Sequence, residues 1–207
     1  TPGTLTEDSL LDARRHNFLA AFHEVRGEAA LAWVDISTGA LRVMPCTPAR
    51  LGPELARLAP RELVLSDGSE GDWGGIVTEM GAAVTPLGRA AFDSTGATKR
   101  LEDLYGVSSL DAFGAFSRPE LGALGAIVED LDITQKGKLP LLRPPVRESA
   151  DRSMQIDAAT RRNLELTHAL AGGRDGSLLA TIDRTVTAGG GRLLERRISS
   201  PSRDQDL

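Results

Sequence analysis

The sequence predicts an α/β fold, a mixed sheet with flanking helices, that runs on into the start of an all-helical segment. Three observations predict it. Residues 1–135 give strand patterns first and then strand and helix patterns in alternation, the signature of a sheet covered by helices. A stretch containing Pro140, Pro144 and Pro145 follows, with no period of either kind. The charge also changes sign there: residues 1–135 carry 11 Lys+Arg against 20 Asp+Glu, a balance of −9, and residues 136–207 carry 13 against 9, a balance of +4.

Taken in order, 18–25, 29–36 and 40–45 read as three strands joined by turns at Arg26-Gly27-Glu28 and Ser37-Thr38-Gly39. A helix is expected over 48–58, with Pro53 tolerable only near its first turn. Leu63-Val64-Leu65 reads as a short buried strand ended by Asp67-Gly68, 76–80 as a brief helix and 82–86 as a further strand. Ser94 is placed to cap a helix running to about Leu104, with Gly106 as its stop. A longer helix spans about 119–134, where Leu121, Leu124, Ile127, Val128 and Leu131 recur at helical spacing. Residues 136–152 are read as a proline-stiffened linker crossing the surface between two domains, 1–135 and 153–207. Beyond it, 153–156 reads as a short extended lead-in, and helices are expected over about 157–171, with Asp157 as N-cap, and 189–197.

A chain of 207 residues with 41% apolar residues can bury a real core. Its single cysteine, Cys46, cannot form an internal disulfide, so a reducing, cytoplasmic setting is expected. No run reaches the length of a membrane span and no basic-then-apolar leader is seen. The sequence starts without Met, as a piece of a longer protein would. The acidic first part is a poor reader of phosphate backbones, and the second is only mildly basic.

Several strings resemble one family in the correct order: Thr1-Pro2-Gly3-Thr4, Trp33 to Gly39, Asp157 to Leu166, Leu170 to Gly173, and Thr185-Val186-Thr187 through Gly191-Arg192-Leu193-Leu194. That family is the bacterial mismatch-repair proteins called MutS, and the resemblance runs over essentially the whole chain. It implies a ribonuclease-H-like connector domain followed by the first segment of the core, or lever, domain. It implies an intact protein that finds mismatched DNA as a dimer, uses ATP and magnesium in a domain outside this sequence, associates with the nucleoid when on DNA, and recruits MutL. One departure is Arg197, where the family usually has Trp.

Asp35 is the most tempting catalytic candidate. With Glu62, Asp67 and Asp93 it offers the carboxylates of a stand-alone, metal-dependent ribonuclease-H-like nuclease, whose two ions must lie about 4 Å apart. The competing reading gives Asp35 the turn at Ser37-Thr38-Gly39, bonding nearby backbone N–H groups; the resemblance, to a connector without nuclease activity, favours the turn. Phe22-His23-Glu24 matches the form of a mismatch-reading Phe-x-Glu, but a strand with Phe22 inward and His23 outward explains it. His16 and His168 have no partner at useful spacing. The clusters at 172–177 and 189–192 lack the Gly-Lys-Ser/Thr of a phosphate-binding loop and are read as turns between helices. No catalytic residue and no metal ligand is therefore expected.

Lys99 and Arg100 lie on the helix after Ser94, with Asp103 four residues beyond Lys99. The resemblance places MutL docking on this helix, where the family often has glutamines; the other reading is a solvated face with a Lys–Asp pair worth a few tenths of a kcal/mol. Arg161 and Arg162 are expected either to pair with Asp157 or Glu165 or to meet a neighbouring domain, a task the planar guanidinium fork suits.

Overall fold

A computed structural model describes residues 13–69, 73, 75–77, 81–136, 139–149 and 153–204. Its centre is a six-stranded sheet that runs, edge to edge, β5 (Ala83–Leu87), β4 (Glu62–Ser66), β1 (Phe18–Val25), β2 (Glu28–Asp35), β3 (Ala40–Pro45) and β6 (Val146–Arg147). Strands β1 (Phe18–Val25), β2 (Glu28–Asp35) and β3 (Ala40–Pro45) form an antiparallel meander. On the other side of β1, strands β4 (Glu62–Ser66) and β5 (Ala83–Leu87) add in parallel. Three antiparallel strands beside a parallel pair make the mixed sheet that the alternation predicts. The first hairpin turns on Arg26 and Gly27, with φ of 54° and 81°. Two positive φ values match the twist of the flanking strands, and glycine takes the second without cost.

Helices cover both faces. Helix α1 (Pro48–Leu58) lays Leu51, Leu55 and Leu58 against Phe22, Leu31, Trp33, Leu63 and Leu65. Pro53 stands at the sixth position of α1, not in its first turn, so one intrahelical bond is missing there; the buried leucine stripe outweighs that loss. On the opposite face α2 (Ser94–Tyr105) packs on α3 (Arg118–Thr134), and α3 covers Leu19, Ala21, Ala32, Val34 and Val64. The N-cap of α2 is Asp93, whose carboxylate accepts from Gly96 N–H at 2.8 Å, and not Ser94. Gly106 stops the helix in the left-handed conformation, as expected. In α3 Leu124, Ile127, Val128 and Leu131 are buried and Leu121 is partly so. Glu120 accepts from Ser117 N–H at 2.7 Å and closes the start of α3.

Close approach explains two glycines of α3. A Cβ on Gly122 would stand 2.6 Å from the Phe92 carbonyl oxygen, and one on Gly125 would stand 2.9 Å from Ala97 Cα. Helix α3 therefore rides nearer to its neighbours than any side chain would allow. Residues 75–77 are helical; the rest of the helix expected over 76–80 lies outside the described residues, as does Thr1-Pro2-Gly3-Thr4. Cys46 is fully buried, and burial pushes its thiol up to about 12.

The proline stretch does more than connect. Leu142 is buried, Arg143 N–H donates to the Gly39 carbonyl at 2.8 Å, and β6 (Val146–Arg147) pairs in parallel with β3. Gly39 has φ of 68°, and any Cβ there would collide with the Leu141 carbonyl. A segment expected to cross the surface is thus strapped onto the edge of the sheet.

Beyond the strap, the first helix stops much sooner than expected. Helix α4 (Ala158–Asn163) starts on Asp157, whose carboxylate accepts from Thr160 N–H at 2.9 Å. It ends because Glu165 turns left-handed at φ 47°, with Leu166 N–H reaching back to Arg161 O and Glu165 N–H to Arg162 O. That is a Schellman stop with Glu in place of the usual glycine, so no residue type announces it. A short helix that the pattern did not predict, α5 (Leu178–Ile182), is capped by Ser177. The last helix, α6 (Ala188–Ser199), is capped by Thr187. Gly172 and Gly173 do form a turn with positive φ, but Gly189, Gly190 and Gly191 lie within the first turns of α6.

Candidate functional site

Where the sheet meets the helical segment, a cleft of about 510 Å³ is lined from both sides. Asp35, at the end of β2, is 2% exposed and lies at its base. Its Oδ1 accepts from Ser37 N–H at 3.0 Å and Asn17 N–H at 3.3 Å; its Oδ2 accepts from Thr38 Oγ1 at 3.1 Å. This is the turn-supporting role. Asp35 has a further partner that spacing did not reveal: His16 Nδ1 donates to Oδ2 at 2.7 Å. Burial pushes the Asp35 carboxyl up, but His16 and the two backbone N–H groups outweigh it and hold the group below its ordinary value.

His16 reaches across the junction. Its Nε2 lies 3.2 Å from the Arg192 carbonyl oxygen on α6, and its ring stacks on Phe18 at 4.8 Å. A neutral imidazole has one N–H and satisfies one of these acceptors at a time; the cation satisfies both. Around His16 run four further ties between the units. Arg14 Nη2 bonds Asp183 at 3.0 Å and Thr185 Oγ1 at 2.6 Å. Arg15 donates to His168 Nε2 at 3.1 Å, and Arg192 to the Ala13 carbonyl. Arg57, held by Glu54 at 2.6 Å and lying over the Trp33 ring at 5.3 Å, donates to Ser200 Oγ at 3.2 Å. Burial, with Arg15 and Arg174 nearby, holds His168 below its ordinary value, which suits an acceptor nitrogen. Thr185 Oγ1 and its backbone N–H, with Arg14 added, hold the partly exposed Asp183 at about 2. Both histidines read as isolated are therefore partnered. The signal was the Arg14-Arg15-His16 run ahead of β1, three basic residues within an otherwise acidic unit.

The nuclease reading fails on geometry. Asp35 aligns with Phe18, whereas Glu62 aligns with Leu19, so the two carboxylates leave opposite faces of the sheet. Glu62 is fully buried, accepts from Thr85 Oγ1, and lies toward Asp130 of α3. Asp93 is occupied as the cap of α2. No group of three or more His, Cys, Asp or Glu among the described residues is placed to hold a metal ion. His23, expected to point outward, instead stacks on Phe92 at 5.1 Å against Gly122, and burial lowers its pKa. Phe22 is inward, as expected.

The other candidates separate. Lys99 and Asp103 are exposed on α2, with no ion pair joining them among the described residues. Arg100, expected to face solvent, folds back onto α3, where it pairs with Glu129 at 2.5 Å and donates to the Gly125 carbonyl at 3.2 Å. Arg161 is half-buried; its Nε donates to the Ile156 carbonyl at 3.0 Å, and α4 packs on α1, bringing it near Arg57 and Glu54. Arg162 and Arg197 are exposed. Among the described residues no helix is long and apolar enough to cross a membrane.

A family model described as MutS domain II matches residues 17–143, and one described as MutS domain III matches residues 159–207. The DNA mismatch repair proteins MutS of Cereibacter sphaeroides and Paracoccus denitrificans are each 68% identical over 207 and 206 residues. Those alignments take in 100% of this chain and 23% of each relative, so the chain spans about a quarter of their length. A Thermus thermophilus RuvC chain, solved in complex with a Holliday junction substrate, aligns with 60% of this chain and 99% of its own at 14% identity. Its TM-score is 0.37, too low to bear on the assignment. With matches to two consecutive domain models and close relatives along its full length, the chain belongs to the MutS family of DNA mismatch repair proteins.

Proposed function

We propose that this chain is the relay of its parent protein: a connector domain (1–135), a linker (136–152) and the first segment of the core domain (153–207). It would carry the state of mismatched-DNA and ATP binding, both housed elsewhere in the intact dimer, to the surface that recruits MutL. Catalysis, ATP and magnesium belong to other domains, and the intact protein works in the cytoplasm and on the nucleoid. The observation that carries this reading is the construction of the junction. His16, held by Asp35 at 2.7 Å, touches α6, and the strap of residues 139–149 bonds both β3 and the β2–β3 turn. Motion of the helical segment therefore reaches the sheet through short polar contacts and a proline-stiffened strap. Arg161, against α1, belongs to the same joint, with Arg162 available to a neighbouring domain.

Inserting a flexible glycine-serine stretch beside Arg143 in the full-length protein tests the relay. ATP binding and MutL recruitment should each survive but lose their dependence on one another; unchanged coupling defeats the reading. The docking surface is tested separately. Lys99→Glu with Asp103→Lys should weaken capture of this chain by purified MutL, whereas Arg100, tied to Glu129, should matter through the placement of α2.

A further inference from the structure

We infer that the cleft between the sheet and α6 is a binding site for a compact polyphosphate anion. The cleft is lined by arginines from well-separated segments of the chain, and four of them are engaged. Arg15 meets His168, Arg42 meets Glu148 at 2.7 Å, Arg57 meets Glu54, and Arg192 meets the Ala13 carbonyl. The other three are Arg61 before β4, Arg143 on the strap and Arg196 on α6. All three residues line the cleft, and among the described residues their side chains have no hydrogen-bond or ion-pair partner. The lining sets three acidic residues against seven arginines. Asp35 is committed to His16, Glu148 to Arg42 and Arg57, and Glu195 through Oε1 to Arg174 at 2.9 Å, its buried Oε2 having no hydrogen-bond partner.

Arg61 is partly buried and Arg143 and Arg196 are exposed, so three uncompensated positive charges border one cleft and repel one another through a medium only partly aqueous. An anion between them removes that penalty. Guanidinium forks suit phosphate oxygens in particular, which they can bind two at a time. The volume, about 510 Å³, is that of a small-molecule site, larger than one phosphate needs. Extended nucleic acid is disfavoured by the surroundings: residues 1–135 carry a balance of −9, which repels a long polyanion while leaving the local cluster positive. Since Arg61 and Arg143 come from the sheet side and Arg196 from α6, the anion would clamp the two units together.

Calorimetric titration of the 207-residue chain with inorganic tripolyphosphate, at fixed ionic strength, is the test. Saturable binding of one anion per chain, with a rise in Tm, is expected. The Arg61→Gln/Arg196→Gln variant should bind at least about tenfold more weakly, since each position gives up a charge-assisted bond. These side chains have no hydrogen-bond or ion-pair partner among the described residues, so circular dichroism should match the parent; if it does not, Arg143→Gln alone should still weaken binding. Three results would overturn the proposal: no saturation, undiminished binding by both variants, or tighter binding of a DNA duplex at the same phosphate concentration.

Discussion

Residues 18–147 bury two apolar cores, one on each face of the sheet, whereas among described residues 153–204 bury only Leu166 and Leu179 of their large apolar side chains. Leu164, Leu170 and Val186 stand 57%, 64% and 94% exposed. The first region is held by packing, the second by caps, turns and the polar ties at the junction. A region held by packing resists displacement; one held by a few directional bonds can shift by exchanging them. The chain thus joins a densely packed region to a sparsely packed one.

The largest test of that contrast is truncation. Ile127→Ala, in the sheet core, should cost about 2–5 kcal/mol in urea unfolding, and Leu164→Ala less than about 0.5 kcal/mol. Equal losses would erase the distinction between the regions. A buried charge tests the packed region in the opposite direction. Asp130 is 2% exposed, its Oδ2 has no hydrogen-bond partner, and burial with Glu62 nearby raises its pKa to about 6. A carboxyl raised on folding costs stability when ionised, so the folded chain gains relative stability as pH falls from above 6 toward 3.8. Asp130→Asn should therefore stabilise the chain by about 1 kcal/mol at pH 7.5, and that gain should fade near pH 4.

At the junction the signs reverse. Asp35 is held below its ordinary value, so its contribution is present above that value and is lost as pH falls through the lower, folded one. Asp35→Asn should remove this acid-sensitive portion and cost about 1–2 kcal/mol, with hydrogen exchange rising in α6 before β1 and β2. Simultaneous loosening of all three would mean that the junction is no softer than the sheet. The smallest effect belongs to α2: Lys99→Ala should fall within about 0.5 kcal/mol of the parent, and Arg100→Ala should exceed it through loss of the Glu129 pair.

The same contrast governs how much could be read from the sequence. Strands β1 and β3 and helix α1 begin and end where the patterns put them, because burial on a pleat or a helix face leaves a period in the sequence. The expected helix runs eight residues past the end of α4 because the stop is a left-handed Glu165, and α5 leaves no signal because five residues carry no period. Of the candidate site, the turn role of Asp35 was legible from its neighbours two and three residues on. Its bond to His16 was not, since pairing β1 with β2 is what brings residues 19 apart in sequence to 2.7 Å. Arg100 was misplaced for a related reason: a helix pattern shows which face is apolar, but not that a long side chain on its border will bend back to a carboxylate on the next helix.

The burial of Cys46 has a practical consequence. The chain's sole thiol is sealed from solvent and, at about 12, stays protonated at any pH used for maleimide or nitroxide chemistry. The parent sequence is thus a blank for thiol-directed labels. A pair of cysteines introduced at exposed Arg143 and Arg196 could carry a fluorophore or spin pair across the joint without first removing the native residue. The distance between them would then report opening and closing of the cleft directly.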